Sequence, residues 1–188
     1  MMNLTGLGGL RPHVRLLPIL AACAMCLGAT SQSCKLGRQA RDQNDFSDFS
    51  VELQLQNDAG AIQDTFDQQD HVHFVLNVTN GKDEKATLTF SSTQQADFAI
   101  VTDDRAERVL WVASQNSTAQ TTPTEVEFSA GETKTFTFDG VLIDADGEFL
   151  PRGDYQAVGA LLVDFDNFAT DPLADNDLAS DPVPLTID

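Results

Sequence analysis

From Phe49 onward, apolar and polar residues alternate with period two. Phe49, Val51, Leu53 and Leu55 interleave with Ser50, Glu52, Gln54 and Gln56. That pattern predicts a half-buried strand with one apolar and one wet face. Asp58-Ala59-Gly60 interrupts it, and Val72, Phe74, Leu76 and Val78 resume it up to the turn dipeptide Asn80-Gly81. Ala86, Leu88 and Phe90 predict a third strand; Phe98–Val101 and Val109–Val112 predict two more, joined by the charged turn Asp103–Glu107. Val126 and Phe128 lead to Gly131, Phe136 and Phe138 follow, Tyr155–Val163 is the longest apolar run of the second half, and Val183, Leu185 and Ile187 alternate near the end. Short strands at regular spacing with turn residues between them indicate an all-β sandwich or barrel. Asp164–Asp181, rich in Asp and Ala, is expected to form a long exposed loop before the last strand.

The first residues follow a different logic. Arg11 and Arg15 precede the apolar run Leu16–Ala29, and the small and polar Thr30-Ser31-Gln32-Ser33 follow it. That is the layout of an export signal, in a run shorter than the roughly 20 apolar residues a bilayer span needs. Three processing outcomes stay open: lipidation at Cys23 within Leu20-Ala21-Ala22-Cys23, lipidation at Cys34, or plain cleavage after Ala29-Thr30-Ser31. Residues 35–48 are polar without periodicity and read as a tether. The expected organisation is an export signal over 1–34, a tether over 35–48 and one β-sandwich domain over 49–188, in a protein that is secreted or envelope-anchored.

Charge sharpens the choice of partners. The 188-residue chain carries a formal net charge of −18; from Asp42 onward it has 29 acidic and 6 basic residues, a net of −23. Nucleic acid and anionic membranes repel such a body, so a membrane role is expected only through a lipid anchor. Beyond Cys34 there is no cysteine, so packing alone must hold the domain.

Four stretches resemble a known family. Phe90-Ser91-Ser92-Thr93-Gln94-Gln95-Ala96-Asp97-Phe98 is similar to a Phe-small-small-Gln-x-x-Asp-Phe stretch of the intracellular proteinase inhibitor (BsuPI) family. Leu110-Trp111-Val112-Ala113-Ser114 resembles its Val-Trp-x-x-Ser strand, Ala130-Gly131-Glu132-Thr133 its Pro-Gly-Glu turn, and Pro151-Arg152-Gly153-Asp154-Tyr155 its Pro-x-Gly-x-Tyr lead-in to a late strand. The order agrees across about Phe74–Leu162. The resemblance implies an immunoglobulin-like antiparallel β-sandwich and a protein partner, a subtilisin-type serine protease. It names no contact residue. The longest polar loop, Ser114–Thr124, is the candidate contact, with Ser114, Gln115, Asn116, Thr118, Gln120 and Pro123 as its candidate residues. A non-inhibitory envelope module, adhesive or structural, is the alternative.

Other motifs read more simply. Trp111 and Tyr155 are expected to be structural, packing within or between strands. His71 and His73 share a strand face beside Asp70, but two ligands do not make a metal site, and they read as solvated histidines. Asp144-Ala145-Asp146-Gly147-Glu148 begins like a calcium loop yet lacks glycine and glutamate at the later positions, so a hairpin turn is expected. Arg152-Gly153-Asp154 reads as a turn. No Gly-x-Ser-x-Gly elbow, phosphate-cradling glycine loop or metal motif is present, so no catalytic residue, metal or cofactor is expected and the chain reads as a binding module.

Overall fold

The computed structural model describes residues 46–104, 107–116, 118–144, 146–163 and 167–188; the expected export signal and the lipidation candidates Cys23 and Cys34 lie outside them. Ten strands form three sheets among the described residues. Strands β1 (Phe49–Gln56), β3 (His71–Asn80) and β8 (Thr133–Val141) make the first, in the order β1-β3-β8. The second has five strands in the order β2-β10-β9-β5-β6, with β2 Thr65–Phe66, β5 Ala96–Thr102, β6 Val109–Val112, β9 Gly153–Leu161 and β10 Val183–Ile187. A third pairs β4 (Ala86–Phe90) with β7 (Thr124–Phe128). This all-β arrangement is consistent with an immunoglobulin-like sandwich. It departs from strict antiparallel pairing at one place: the two-residue β2 runs parallel to β10. So short a strand has no hydrophobic period of its own, and the sequence pattern did not show it.

The alternating residues meet in the core. Phe74 of β3 stacks on Trp111 of β6 at 5.5 Å and 17°, and Phe138 of β8 meets Trp111 edge-on at 5.2 Å. Phe74 also lies 5.4 Å from Phe98 of β5. These rings tie the first sheet to the second, with Leu53, Leu55, Leu76, Leu161, Leu185 and Ile187 packed around them. Trp111 is thus a core residue.

The second sheet is covered on its other face too. Ala99, Val112, Val158 and Ala160 form a separate apolar cluster with Phe168. Burial on both faces explains why Phe98–Val101 and Tyr155–Val163 read as continuous apolar runs rather than alternating ones. It also corrects the expectation of an exposed loop over Asp164–Asp181. Phe168 and Leu178 are buried, Leu161 N–H donates to Leu178 O at 3.0 Å, and Ser180 N–H donates to Gly159 O at 2.8 Å. Asp171, Asp175, Asp177 and Asp181 face water, Phe168 and Leu173 cap the sheet, and Leu178 packs into the main core.

The end of β3 holds the strands' polar crossing point. Asn80 is fully buried. Its N–H donates to Glu132 O at 2.9 Å, and its carbonyl accepts from Gly131 N–H at 3.0 Å. Its side-chain Nδ2 donates to Glu84 O at 2.9 Å and Ser129 O at 3.0 Å, and its Oδ1 accepts from Lys82 N–H at 3.0 Å. Asn80-Gly81 is therefore a turn, but not the tip of a hairpin: the chain leaves the first sheet here and begins the third. A Cβ at Gly81 would be driven into the Asp48 carbonyl oxygen, whose bond from Gly81 N–H is 2.9 Å long. The Ala130-Gly131-Glu132 turn docks on Asn80 with Gly131 at a φ of +67°, a conformation that favours glycine. Glu132 Oε2 accepts from Ser129 N–H, and that bond, with Lys134 at 2.9 Å, holds the Glu132 carboxyl below its ordinary value.

Asn80→Asp keeps the shape and removes the two Nδ2 donors. A carboxylate would then face the Glu84 and Ser129 carbonyls. We predict a loss of about 3 kcal/mol at neutral pH, measured by urea unfolding. Most of it should return at acid pH, where a protonated Asp can donate again; wild-type stability at neutral pH would remove Asn80 from its central place.

Candidate partner-binding loop and its base

The candidate loop leaves β6 through a single 3₁₀ turn, Ala113–Asn116, and rejoins the fold at β7. Its base is the segment between β4 and β5. Asp97, only 3% exposed, begins β5 and turns its carboxylate under the loop. Asp97 Oδ1 accepts from its neighbour's Phe98 N–H at 2.9 Å and from Ser114 N–H at 3.0 Å. Burial pushes the Asp97 carboxyl above its ordinary value, and the Ser114 hydroxyl, the two N–H groups and Gln94 pull it partly back.

The middle of the loop has its own clamp. Thr93 N–H donates to Gln120 O at 3.0 Å, and Gln120 N–H donates to Thr93 Oγ1 at 3.1 Å. At the far end Thr124 Oγ1 donates to Ser92 O at 2.9 Å and lies 3.4 Å from Gln95 Nε2. Gln115 Nε2 reaches Ile143 O at 3.1 Å. So of the candidate residues, Ser114 is half-buried and acts as an anchor, and Gln120 is anchored through its backbone. Gln115, Thr118, Gln120 and Pro123 are exposed, and the side chain of Asn116 lies outside the described set. Beside the loop, Gln94, Asp97, Ser114, Phe136 and Phe138 line a cleft of ≈ 310 Å³.

Sequence reasoning missed this base. Its signal was present in the polar run Ser91–Gln95 between two strands, where short side chains match the backbone groups of a facing loop. The structure also joins two of the four resemblance stretches: Asp97 of the first binds Ser114 of the second. The fourth closes on itself. Tyr155 Oη donates to Pro151 O at 2.6 Å, across the turn that Arg152-Gly153 makes, and burial pushes the Tyr155 hydroxyl above its ordinary value. Asp154 Oδ1 accepts from Thr186 Oγ1 at 3.0 Å within the sheet.

The remaining candidates fall elsewhere. His71 Nδ1 and His73 Nδ1 lie 3.3 and 3.4 Å from the same Asp139 Oδ1, and His73 Nε2 lies 3.0 Å from Asp58 Oδ1. The Asp70 carboxylate accepts from Asp67 N–H at 3.0 Å. Among the described residues no group of three or more His, Cys, Asp or Glu has the geometry to hold a metal ion. Asp144 Oδ1 accepts from the N–H groups of Asp146 and Glu148 at 2.9 and 3.0 Å, the bonding of a turn.

Asp97 supplies a direct test. Asp97→Ala would leave two N–H groups without acceptors and should cost about 3 kcal/mol, whereas Asp97→Asn keeps an oxygen for both and should cost less than about 1 kcal/mol. The sign of the pH effect follows from the raised folded value. The native state holds the proton more tightly, so the contribution is present below the unfolded value and is lost as pH rises through the folded one. Asp97→Asn should remove that decline from the pH–stability curve; an unchanged curve would mean the carboxyl titrates as in the unfolded chain.

Comparison with known proteins adds the following. The family model described as BsuPI, intracellular proteinase inhibitor, matches residues 61–164. No curated protein sequence matches the chain. Among solved structures, the C-terminal domain of wzt is similar at 16% identity and TM-score 0.46, with 75% of this chain and 74% of that one covered. The CARDB domain of the PF1109 protein from Pyrococcus furiosus is similar at 11% identity and TM-score 0.38, with 75% and 88% covered. The β-glucosidase EmGH1 from Erythrobacter marinus is similar at 14% identity and TM-score 0.39, but this chain spans only 15% of its length.

Proposed function

The chain belongs to the intracellular proteinase inhibitor family, and on that premise we propose that it is an exported binding module that inhibits a subtilisin-type serine protease through the loop Ser114–Thr124. The observation that carries this reading is the loop's double clamp, Asp97 to Ser114 and Thr93 to Gln120. An inhibitory loop must present backbone to a protease cleft without losing much freedom on binding, and hydrogen bonds that fix its start and its middle reduce that cost. The loop SQNSTAQTTPT also carries no charge in a body of net −23, so docking it desolvates no ionised side chain of its own. Pro123 stiffens the exposed far end.

The purified protein, titrated into subtilisin-type and trypsin-type proteases, should abolish the activity of the first at micromolar concentration. Asp97→Ala, with the loop released at one end, should bind about tenfold more weakly, which is about 1.4 kcal/mol. Undiminished activity of both protease types would sink the inhibitory reading.

The export part rests on the layout of residues 1–33, a basic flank, an apolar run and a small-residue exit. On this reading the protein's target lies outside the cytoplasm, despite the family's description. Mass spectrometry of the mature N-terminus should show either a lipid-modified cysteine, Cys23 or Cys34, or an end near Ser31. An intact Met1 in the processed protein would contradict export.

A further inference from the structure

Strand β1 lies at the edge of its sheet; among the described residues it pairs with β3 along its length, and its last residue, Gln56, also bridges Ile62. In such a strand the N–H and C=O of one residue point to the same side, and successive residues alternate. Here Leu55 O accepts from Gln63 N–H at 3.1 Å, and Phe49 N–H donates to Phe46 O at 2.8 Å. Both partners lie on the side away from β3, so the odd-numbered residues of β1 face that edge. Its two ends are thus satisfied within the chain. Between them Val51 and Leu53 present their backbone groups outward, and no described residue bonds them there.

Across from this edge runs β10. Thr186 N–H donates to Asp64 O at 2.7 Å, so Pro184, two residues earlier, also faces the free side. Proline has no N–H, and it is one of the devices that keep sheet edges from pairing. The start of β10, which extends past its pairing with β2, is therefore guarded, while β1 carries no proline, lysine or bulge over Val51–Leu53. Between the two strands lies a groove of ≈ 490 Å³, with Leu53, Leu55, Ile62 and Val183 as its apolar lining and Glu52 and Asp64 at its rim. Ile62 is 66% exposed, more than any other large apolar residue described.

Charge selects the occupant. The groove's lining holds two carboxylates and no Lys or Arg, in a body of net −23 from Asp42 onward. A second copy would bring the same charges to the same edge and be repelled. We propose that the β1 edge is a docking site for an extended, lysine- or arginine-bearing segment of a partner protein, which adds as a strand at Val51–Leu53 and seats an apolar side chain beside Ile62. Main-chain bonds would supply affinity and the groove side-chain selectivity. The site lies at the edge of the first sheet opposite β8, which lines the cleft beside the inhibitory loop, and so is separate from that loop.

Hydrogen exchange on the purified full chain tests this. In the free protein the Val51 and Leu53 amides should exchange much faster than those of Glu52 and Gln54, which face β3. The probe is a heptapeptide alternating lysine with valine, with isoleucine at its centre. It should slow exchange at Val51 and Leu53 by at least about tenfold, and the protection should weaken as salt rises. The double variant Glu52→Lys, Asp64→Lys, with both changes on exposed or rim positions and its melting checked, should lose about tenfold in affinity. Unchanged exchange at saturating peptide overturns the proposal. So does equal protection by the glutamate-for-lysine peptide. Protection that grows with protein concentration alone would assign the edge to a second copy instead.

Discussion

The structure depends on one neutral amide. Asn80 sits where β3 ends, with the backbone of Lys82, Glu84, Ser129, Gly131 and Glu132 gathered around it. No cysteine is available to staple these crossings, and an apolar side chain there would take the partner from Lys82 N–H and from the Glu84 and Ser129 carbonyls, a cost of about 1–3 kcal/mol each. A charged residue would be worse in a low-dielectric site. An amide, with both donors and an acceptor and no charge, meets the requirement. Once it is placed, the first sheet, the β4–β7 pair and the turn into β8 are fixed relative to one another.

Asp97 does for the loop what Asn80 does for the sheets, with a different balance. Its carboxylate is a stronger acceptor than an amide, so it can hold Ser114 and Phe98 at once. That strength comes with a desolvation penalty, visible in its raised carboxyl. The contrast locates the variable part of the molecule. The stretches that carry the family resemblance are anchors, turns and core: Asp97, Ser114, Trp111, Gly131 and Tyr155. The exposed letters of the loop lie between them. This is how one scaffold can present different contact surfaces, and it is why the family assignment reaches the fold more firmly than the target.

Much of this was legible in the sequence. Period-two alternation located β1, β3, β4, β7, β8 and β10, and turn residues marked their ends. Trp111 and Tyr155 are buried among the apolar strands that flank them. What stayed hidden has a physical reason in each case. β2 is two residues long and has no period. The cover over the second sheet was masked by the aspartates around Phe168 and Leu173, although the unbroken apolar runs of β5 and β9 required something to lie over them. The Asp97–Ser114 bond joins residues 17 apart in the chain, and alternation says nothing about which polar groups meet. The free edge of β1 is likewise a property of pairing, not of composition.

The position of β10 has a consequence in time. Residues Val183–Ile187 lie inside the second sheet, between β2 and β9. Until they leave the ribosome, β9 has a bare flank and β2 has nothing to pair with. The sheet then closes through contacts between distant parts of the chain, which form slowly compared with local ones. The domain therefore cannot complete its fold until residue 187 has been made, and until then it is an incomplete sandwich whose last seam stays open.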